Sequence, residues 1–427
     1  MDFISELRWR GLLQQHTEGL NELLNKGTTR GYIGFDPTAP SLGIGNYVQI
    51  MTLRRFQLAG HQPIVLMGGA TGRIGDPSGK DAERSLLDLN VIEQNIAAQK
   101  TQIAKFLNFD TSSPNHAILV NNGDFYQDMN ALDFLRDVGK YITVNYMLSK
   151  DSVKNRIDSE SGISFTEFSY QLIQGYDFEY LYKNHNCPLQ MGGGDQWGNI
   201  TTGLEFIRKK GGKGQGLSTT LLTKKDGKKF GKSEAGNLFL DKNLTSPYTF
   251  YQYWLGNQID DEDLPKLFRV LSMRSQSEIE QLEADYKDNP IKRRELLAEE
   301  LMLTIHDQNA LNQAQAATQV VHNPKLSREF LSQLDPETWQ MVAYEIGSYT
   351  VDKNELENLD FIKLLTEKTK LFASNNEARK AVQNNAIALN CEKVADAAQK
   401  LLPEQVVNGF MLLQTSKKTK YVLKVSE

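Results

Sequence analysis

A chain of 427 residues is long enough for two or three domains, and 40% hydrophobic with 24% charged residues is ordinary for a soluble globular protein. No apolar run approaches the roughly 18–20 residues that span a bilayer, and the first six residues lack the basic and apolar regions of a secretory leader, so a cytosolic protein is expected. The net charge of −5 hides a split: residues 361–427 carry 11 Lys and Arg against 6 Asp and Glu, a net of +5 that leaves −10 on residues 1–360, and a basic end on an acidic body suits a polyanionic partner.

Tyr32 to Phe35 reads as a short strand, Tyr47 to Leu58 as a helix and Pro63 to Met67 as a second strand running into a glycine-rich turn. Strand, helix and strand in that order predict a βαβ unit with parallel strands. A helix over Val91 to Phe106, a strand at Ala117 to Val120 and another at Leu189 to Met191 extend the pattern. Residues 1–225 are therefore expected as a Rossmann-like α/β domain with an open parallel sheet, whose ligands lie beyond the carboxyl ends of the strands. From Ser246 to about Val321 the periodicity is almost wholly helical, with Ser246-Pro247 placing proline at a helix start, so residues 226–321 are expected as a loop that carries Lys229 to Ser233 followed by a helical domain. Residues 322–360 are less regular and are expected as a linker region, with a possible helix at Glu337 to Ile346. Residues 361–427 predict a small α+β domain: helices at Ile362 to Phe372 and Asn376 to Asn384, then strands around Ala386 to Leu389 and Tyr421 to Lys424. Cys187 and Cys391 have no ligand-like spacing to each other or to histidines, so neither a disulfide framework nor a metal site is expected.

Several segments carry anion-binding chemistry. Phe35-Asp36-Pro37-Thr38 leads through Gly43-Ile44-Gly45-Asn46 into a helix, where backbone N–H groups face outward with no side chain in the way; a plain tight turn is the alternative. Lys80 and Arg84 follow the second glycine-rich turn, and Lys229-Phe230-Gly231-Lys232-Ser233 sets two more cations in a glycine-flexed segment. Flexible cations that close over a triphosphate stabilise charge on the leaving pyrophosphate; solvated surface lysines are the alternative. Tyr170, Gln174 and Asp177 recur at i, i+4 and i+7 and share one helix face, offering a phenol, an amide and a carboxylate to a small ligand. Gly192 to Asn199 puts three glycines and the pair Asp195-Gln196 at a strand end, where a ligand can approach the backbone. Arg379, Lys380, Lys417, Lys418 and Lys420 surround the short apolar elements of the basic end and suit either RNA phosphates or mere solubility.

Taken together, these motifs resemble the bacterial tyrosyl-tRNA synthetases, a family of class I aminoacyl-tRNA synthetases. The likeness covers nearly the whole chain. It is strongest at Tyr32 to Pro37, Gly68 to Lys80, Arg136 to Tyr146, Ser164 to Phe178, Gly192 to Thr202 and Lys229 to Ser233, and residues 361–427 resemble a small RNA-binding fold. The resemblance implies activation of tyrosine by ATP with Mg2+ as its counter-ion, transfer of the tyrosyl group to the terminal adenosine of a tRNA, no tightly bound cofactor, and a homodimer. It also implies roles. Tyr32 and Asp177 would hydrogen-bond the substrate phenol, and Asp76, Tyr170 and Gln174 would hold its ammonium group. Gln196 would lie near the substrate carboxylate, Asp195 near the ribose, and Asp36, Gly45, Asn46, Gly192 and Lys232 along the ATP. Lys80, Arg84, Lys229, Lys232 and Ser233 match the cationic loops that close on the pyrophosphate, with Thr38 on the γ-phosphate. A tryptophanyl-tRNA synthetase and a non-catalytic RNA-binding relative are the rivals.

Two departures stand out. The class signature His-Ile-Gly-His is here Gly43-Ile44-Gly45-Asn46, which removes one side chain and turns another into an amide. Loss of one transition-state donor costs roughly 3 kcal/mol, on the order of a hundredfold in rate. Gly194 stands where the family usually has serine.

Overall fold

A computed structural model describes residues 2–426 apart from 79–85, 159–161, 224–229, 234–235, 257 and 417–418. The chain divides into two units, Met1–Leu244 with Ile259–Arg293, and Thr245–Gln258 with Arg294–Glu427.

The first unit is built on a six-stranded sheet of β1 (Leu13–His16), β2 (Arg30–Phe35), β3 (Gln62–Met67), β4 (Ile118–Asn121), β5 (Leu189–Gly193) and β6 (Gln215–Thr219). Their order is β1-β6-β5-β2-β3-β4, parallel throughout except for the edge strand β1, which runs antiparallel to β6. Every residue of Gln62-Pro63-Ile64-Val65-Leu66-Met67 is buried, the continuous apolar run of a strand covered on both faces. The helices that cover the sheet include α1 (Ile44–Leu58), α2 (Leu89–Ile103), α3 (Phe165–His185) and α4 (Trp197–Lys209). From β2 the chain moves to β3 and β4 on one side, while β5 and β6 lie on the other, so the strand order reverses between β2 and β5. That reversal opens a crevice at the carboxyl ends of these two strands, the usual ligand position of an open α/β sheet.

The expected parallel sheet and its α/β class are present, and two of its strands, β1 and β6, were not anticipated. The expected helical domain is redistributed. Helices Leu264–Leu271 and Gln276–Asp285 belong to the first unit, and Pro247–Leu255 and Gln308–His322 to the second. Two buried arginines explain the first assignment. The guanidinium of Arg10 donates to the carbonyls of Arg269, Ser272 and Arg274 at 2.7, 2.9 and 2.6 Å, and that of Arg55 to Val270 and Ser272 at 3.0 and 2.8 Å. Cations thus close the carboxyl end of Leu264–Leu271 where its carbonyls have no helical partner.

The second unit contains α5 (Pro247–Leu255), α6 (Gln308–His322), α7 (Pro336–Ile346) and α8 (Asn375–Gln383). Its sheet is made of β7 (Ser348–Asp352), β8 (Ala388–Leu389), β9 (Glu392–Lys393), β10 (Phe410–Gln414) and β11 (Lys420–Ser426), in the order β9-β8-β10-β11-β7. Here the expected linker is corrected. Residues 322–360 include α7 and β7; β7 pairs in parallel with β11 from Ser348↔Val422 to Asp352↔Ser426. Trp339 of α7 is fully buried and stacks on Phe410 of β10 with ring centroids 5.8 Å apart. A connector has no reason to bury a tryptophan; this segment supplies core to the sheet.

Candidate active site

A cavity of about 350 Å³ opens at the carboxyl ends of β2 and β5. Tyr32, in the middle of β2, is 1% exposed and lines it, and its hydroxyl has no hydrogen-bond partner among the described residues. A buried hydroxyl left unmatched beside a cavity is a demand for a ligand group, because an orphaned buried polar atom costs about 1–3 kcal/mol. Asp177 on α3 faces the same space and is equally buried. Its Oδ2 accepts from Asn122 Nδ2 at 2.8 Å and its Oδ1 from the Tyr126 hydroxyl at 2.8 Å. Burial pushes the Asp177 carboxyl up to about 7, the two donors pulling against it.

A second carboxylate, Asp76, sits in an amide network. Its Oδ2 accepts from Gln196 Nε2 at 2.6 Å and its Oδ1 from the Ser78 backbone N–H at 2.9 Å, while burial raises its pKa. Gln196 Oε1 accepts in turn from Gln174 Nε2 at 3.2 Å. Asn199, in the first turn of α4 and given no role of its own from sequence, places its amide nitrogen 3.1 Å from both Gln174 Oε1 and Gln196 Oε1. The result is a ring of acceptors with one buried carboxylate, suited to a primary ammonium group.

Asp36 follows β2 and accepts from the Thr71 hydroxyl at 2.6 Å and from the Tyr170 hydroxyl at 2.9 Å. Tyr170 therefore reaches the cavity with its proton already committed to Asp36. The neighbouring loop that carries Thr38 is held from α2, whose buried Asn95 and Gln99 donate to the carbonyls of Pro37 and Ala39, each at 2.9 Å. Thr38, Gly45, Asn46, Gly192 and Asp195 all line the cavity.

The helix start at Gly43 is tied to the chain that follows the second cationic segment. Ile44 N–H donates to the Leu238 carbonyl at 3.2 Å, Leu240 N–H to Leu42 at 2.9 Å, and Gly43 forms an isolated β-bridge with Phe239. Upstream of that contact, Lys232–Ser233 pairs antiparallel with Gly236–Asn237. Gly231 has φ +86°, and a Cβ there would collide with Ile44 Cγ2, so glycine is required on both counts. The altered signature fits this arrangement. A side chain on Gly43 would begin 3.3 Å from the Leu238 carbonyl oxygen, and Asn46 uses its own Oδ1 to accept the Gly43 N–H at 3.2 Å. A Cβ at Gly194 would meet only the tip of the exposed Gln14 side chain, which can move aside, so nothing in the structure explains the glycine there.

The structure thus brings Tyr32, Asp36, Thr38, Gly45, Asn46, Asp76, Tyr170, Gln174, Asp177, Gly192, Asp195 and Gln196 to one cavity. Lys80, Arg84, Lys229, Lys417 and Lys418 lie outside the described residues, and of Lys232 and Ser233 only the backbone pairing is described. Arg379 and Lys380 are exposed on α8, opposite buried Ala378 and Val382. Lys420 is corrected: it is 5% exposed, and its ammonium donates to the carbonyls of Val320 and Asn323 at 2.7 and 2.8 Å, closing the end of α6. Burial lowers its pKa. It is a helix cap, unable to present its charge to RNA.

Sheet and cavity together define an open parallel-sheet α/β protein with a candidate small-ligand site at the strand-order reversal. Residues 24–323 match the family described as tRNA synthetases class I (W and Y), and residues 340–424 the tyrosine–tRNA ligase SYY-like C-terminal domain. The chain is 48% identical to the tyrosine–tRNA ligase of Porphyromonas gingivalis and 46% identical to that of Flavobacterium psychrophilum, in each case over 99% of both chains. A C-terminally truncated mitochondrial tyrosyl-tRNA synthetase from Coccidioides posadasii superposes with a TM-score of 0.63 at 28% identity, covering 74% of this chain and 91% of that one. The chain belongs to the class I tRNA synthetases of the tryptophan and tyrosine family, in its tyrosine branch.

Proposed function

We propose that the cavity activates tyrosine with ATP and that the chain is a tyrosine–tRNA ligase working through the following residues. Tyr32 and Asp177 take the substrate phenol, Asp76 with Gln174 and the Asp36-bound Tyr170 hold the ammonium, and Gln196 lies near the carboxylate. Asp36, Thr38, Gly45, Asn46, Gly192 and Asp195 line the path of ATP, with magnesium arriving as the counter-ion of the triphosphate. The carboxylate of tyrosine is already a nucleophile; it attacks the α-phosphate, pyrophosphate leaves, and no activating base is needed. A hydroxyl of the terminal adenosine of the tRNA then attacks the carbonyl carbon of the adenylate and releases AMP. Lys80, Arg84, Lys229, Lys232 and Ser233 would stabilise the leaving pyrophosphate, and Arg379 and Lys380 would contact RNA phosphates together with Lys417 and Lys418.

The observation that carries this reading is the unmatched, buried Tyr32 hydroxyl beside the buried Asp177 carboxylate, a donor-acceptor pair waiting for one phenol. Phenylalanine would leave the Tyr32 hydroxyl unmatched and add no donor to the Asp177 carboxylate beyond Asn122 and Tyr126, and tyrosyl-tRNA synthetases are themselves the standard illustration of that rule. A homodimer is part of this reading on the strength of the family resemblance alone. Among the described residues no helix is long and apolar enough to cross a membrane, in keeping with a cytoplasmic enzyme. The rival tryptophan specificity and the non-catalytic reading have no support in the full-length relatives.

Tyrosine-dependent exchange of labelled pyrophosphate into ATP, run beside phenylalanine and tryptophan, tests the proposal. Exchange with tyrosine alone is expected. Absence of exchange with RNA binding retained would show that the Gly43 and Asn46 signature has ended activation chemistry.

A further inference from the structure

Two side chains outside the cavity lining hold the carboxylate that faces it. Asn122 reaches Asp177 Oδ2 from the short helix Asn122–Tyr126, and Tyr126 at the other end of that helix reaches Oδ1. Asn122 is fixed in turn, its Oδ1 accepting the Ala70 N–H at 2.7 Å. The Tyr126 hydroxyl has one proton and two acceptors within reach, Asp177 Oδ1 at 2.8 Å and the Ile173 carbonyl at 2.9 Å. Ile173 stands four residues before Asp177 in α3, so its carbonyl is a rung of the helical ladder, whereas an ionised carboxylate has lone pairs to fill and binds a donor about twice as strongly.

We propose that Tyr126 is a specificity-determining positioning residue: by donating to Asp177 Oδ1 while Asn122 donates to Oδ2, it keeps that carboxylate ionised and its remaining lone pairs free for the cavity. A site that only accepts a hydrogen bond at this point selects a substrate with an O–H to give. The inference rests on the reading of Asp177 as the phenol partner. The titratable groups that face Asp177 are Tyr32 and Asp36 from β2 and the turn after it, Tyr126, and Tyr170 and Tyr176 from α3, with Cys187 beside Tyr32. Burial and the Asp36 charge push the Asp177 carboxyl up to about 7, and the two donors pull it back toward the ionised form.

The test is tyrosine-dependent pyrophosphate exchange by the full-length Tyr126→Phe variant from pH 6 to 9, with phenylalanine as competitor. Loss of one charge-assisted bond is expected to raise KM for tyrosine about tenfold at pH 7 with kcat within about twofold, and to lower the tyrosine to phenylalanine ratio of kcat/KM by a similar factor. The acid limb of kcat/KM is expected to move up by about one pH unit, because a carboxylate that loses a donor protonates more easily. 3-Fluorotyrosine at 126 has the same shape and a more acidic hydroxyl, and should move the limb the other way. A limb and a ratio unmoved in both proteins, with only a lower melting temperature for Tyr126→Phe, would assign the hydroxyl to the Ile173 carbonyl and overturn the proposal. Asp177→Asn separates the two readings: if it leaves the tyrosine to phenylalanine ratio intact, the phenol assignment of Asp177 itself fails; if it abolishes the ratio while Tyr126→Phe does nothing, the inference about Tyr126 alone is wrong.

Discussion

Around Asp177 and Asp76 the cavity is walled by side chains that hold one another, each buried carboxylate meeting two or more donors before any ligand arrives. Around Gly43 and Asn46 it is walled by backbone, with Leu42, Gly43 and Ile44 strung to Leu238, Phe239 and Leu240. The first region is pre-organised, and under the proposed function it recognises a fixed shape, an amino acid with a phenol at one end. In the second, Gly43 and Ile44 spend their N–H groups on Asn46 Oδ1 and the Leu238 carbonyl, and under the proposed function it is the small residues Gly45 and Gly192 along the cavity that leave room for a triphosphate. Binding one group tightly and another only at the transition state calls for these two kinds of wall.

Breaking the first wall should have the larger effect. Asp177→Asn is expected to lower kcat/KM for tyrosine about a hundredfold in pyrophosphate exchange, the loss of a charge-assisted bond plus unmatched buried donors. The same variant sharpens the electrostatics. With its folded-state value raised to about 7 from 3.8, Asp177 costs the empty protein nothing below about pH 4, and a penalty grows as pH rises to 7 and is then full. Melting curves of Asp177→Asn should therefore improve relative to the parent between pH 5 and 8; a constant difference would mean that Asp177 is ionised without strain.

The second wall should give way more gently. Gly231→Ala places a side chain at φ +86° against Ile44, a strain of about 1–3 kcal/mol that falls on the hairpin and not on the tyrosine side. Exchange should slow about tenfold while tyrosine affinity, read by equilibrium binding, stays put. Equal loss of both would show that the two regions are one cooperative unit. The smallest effects belong to the basic end. Arg379→Ala and Lys380→Ala should each weaken tRNA binding a few-fold and lower its salt dependence by about one ion. Lys420→Met should leave that salt slope unchanged and lower the melting temperature, in line with about 1–3 kcal/mol for buried carbonyls left without a donor.

The same contrast decides what could be read in the sequence. Tyr170, Gln174 and Asp177 were legible because helical spacing puts them on one face, and the βαβ strands because Ile64 to Met67 can only be a covered strand. Strand β6 was not, since Gln215-Gly216-Leu217-Ser218-Thr219 is entirely buried yet offers one large apolar side chain. Small polar residues packed beside a site mimic a loop. Asn122, Tyr126 and Asn199 were missed for a related reason: a buried amide or phenol has no periodicity, and its role appears only with the carboxylate it holds. Lys420 misled in the opposite direction, because a lysine among lysines looks solvated until α6 ends above it. The expected linker failed because β7 pairs with β11, some seventy residues later, and no local pattern records a partner that far away.

That pairing has a practical meaning for anyone who would cut this protein. A fragment beginning at residue 361 would lose an outer strand of its sheet and the tryptophan that packs on β10, and would have to fold with Val422 and Phe410 bare. Evolution faces the same constraint: a graft of the basic end onto another enzyme succeeds only if it brings α7 and β7 along, so the transferable piece begins before the helix at Pro336, well upstream of where the positive charge starts.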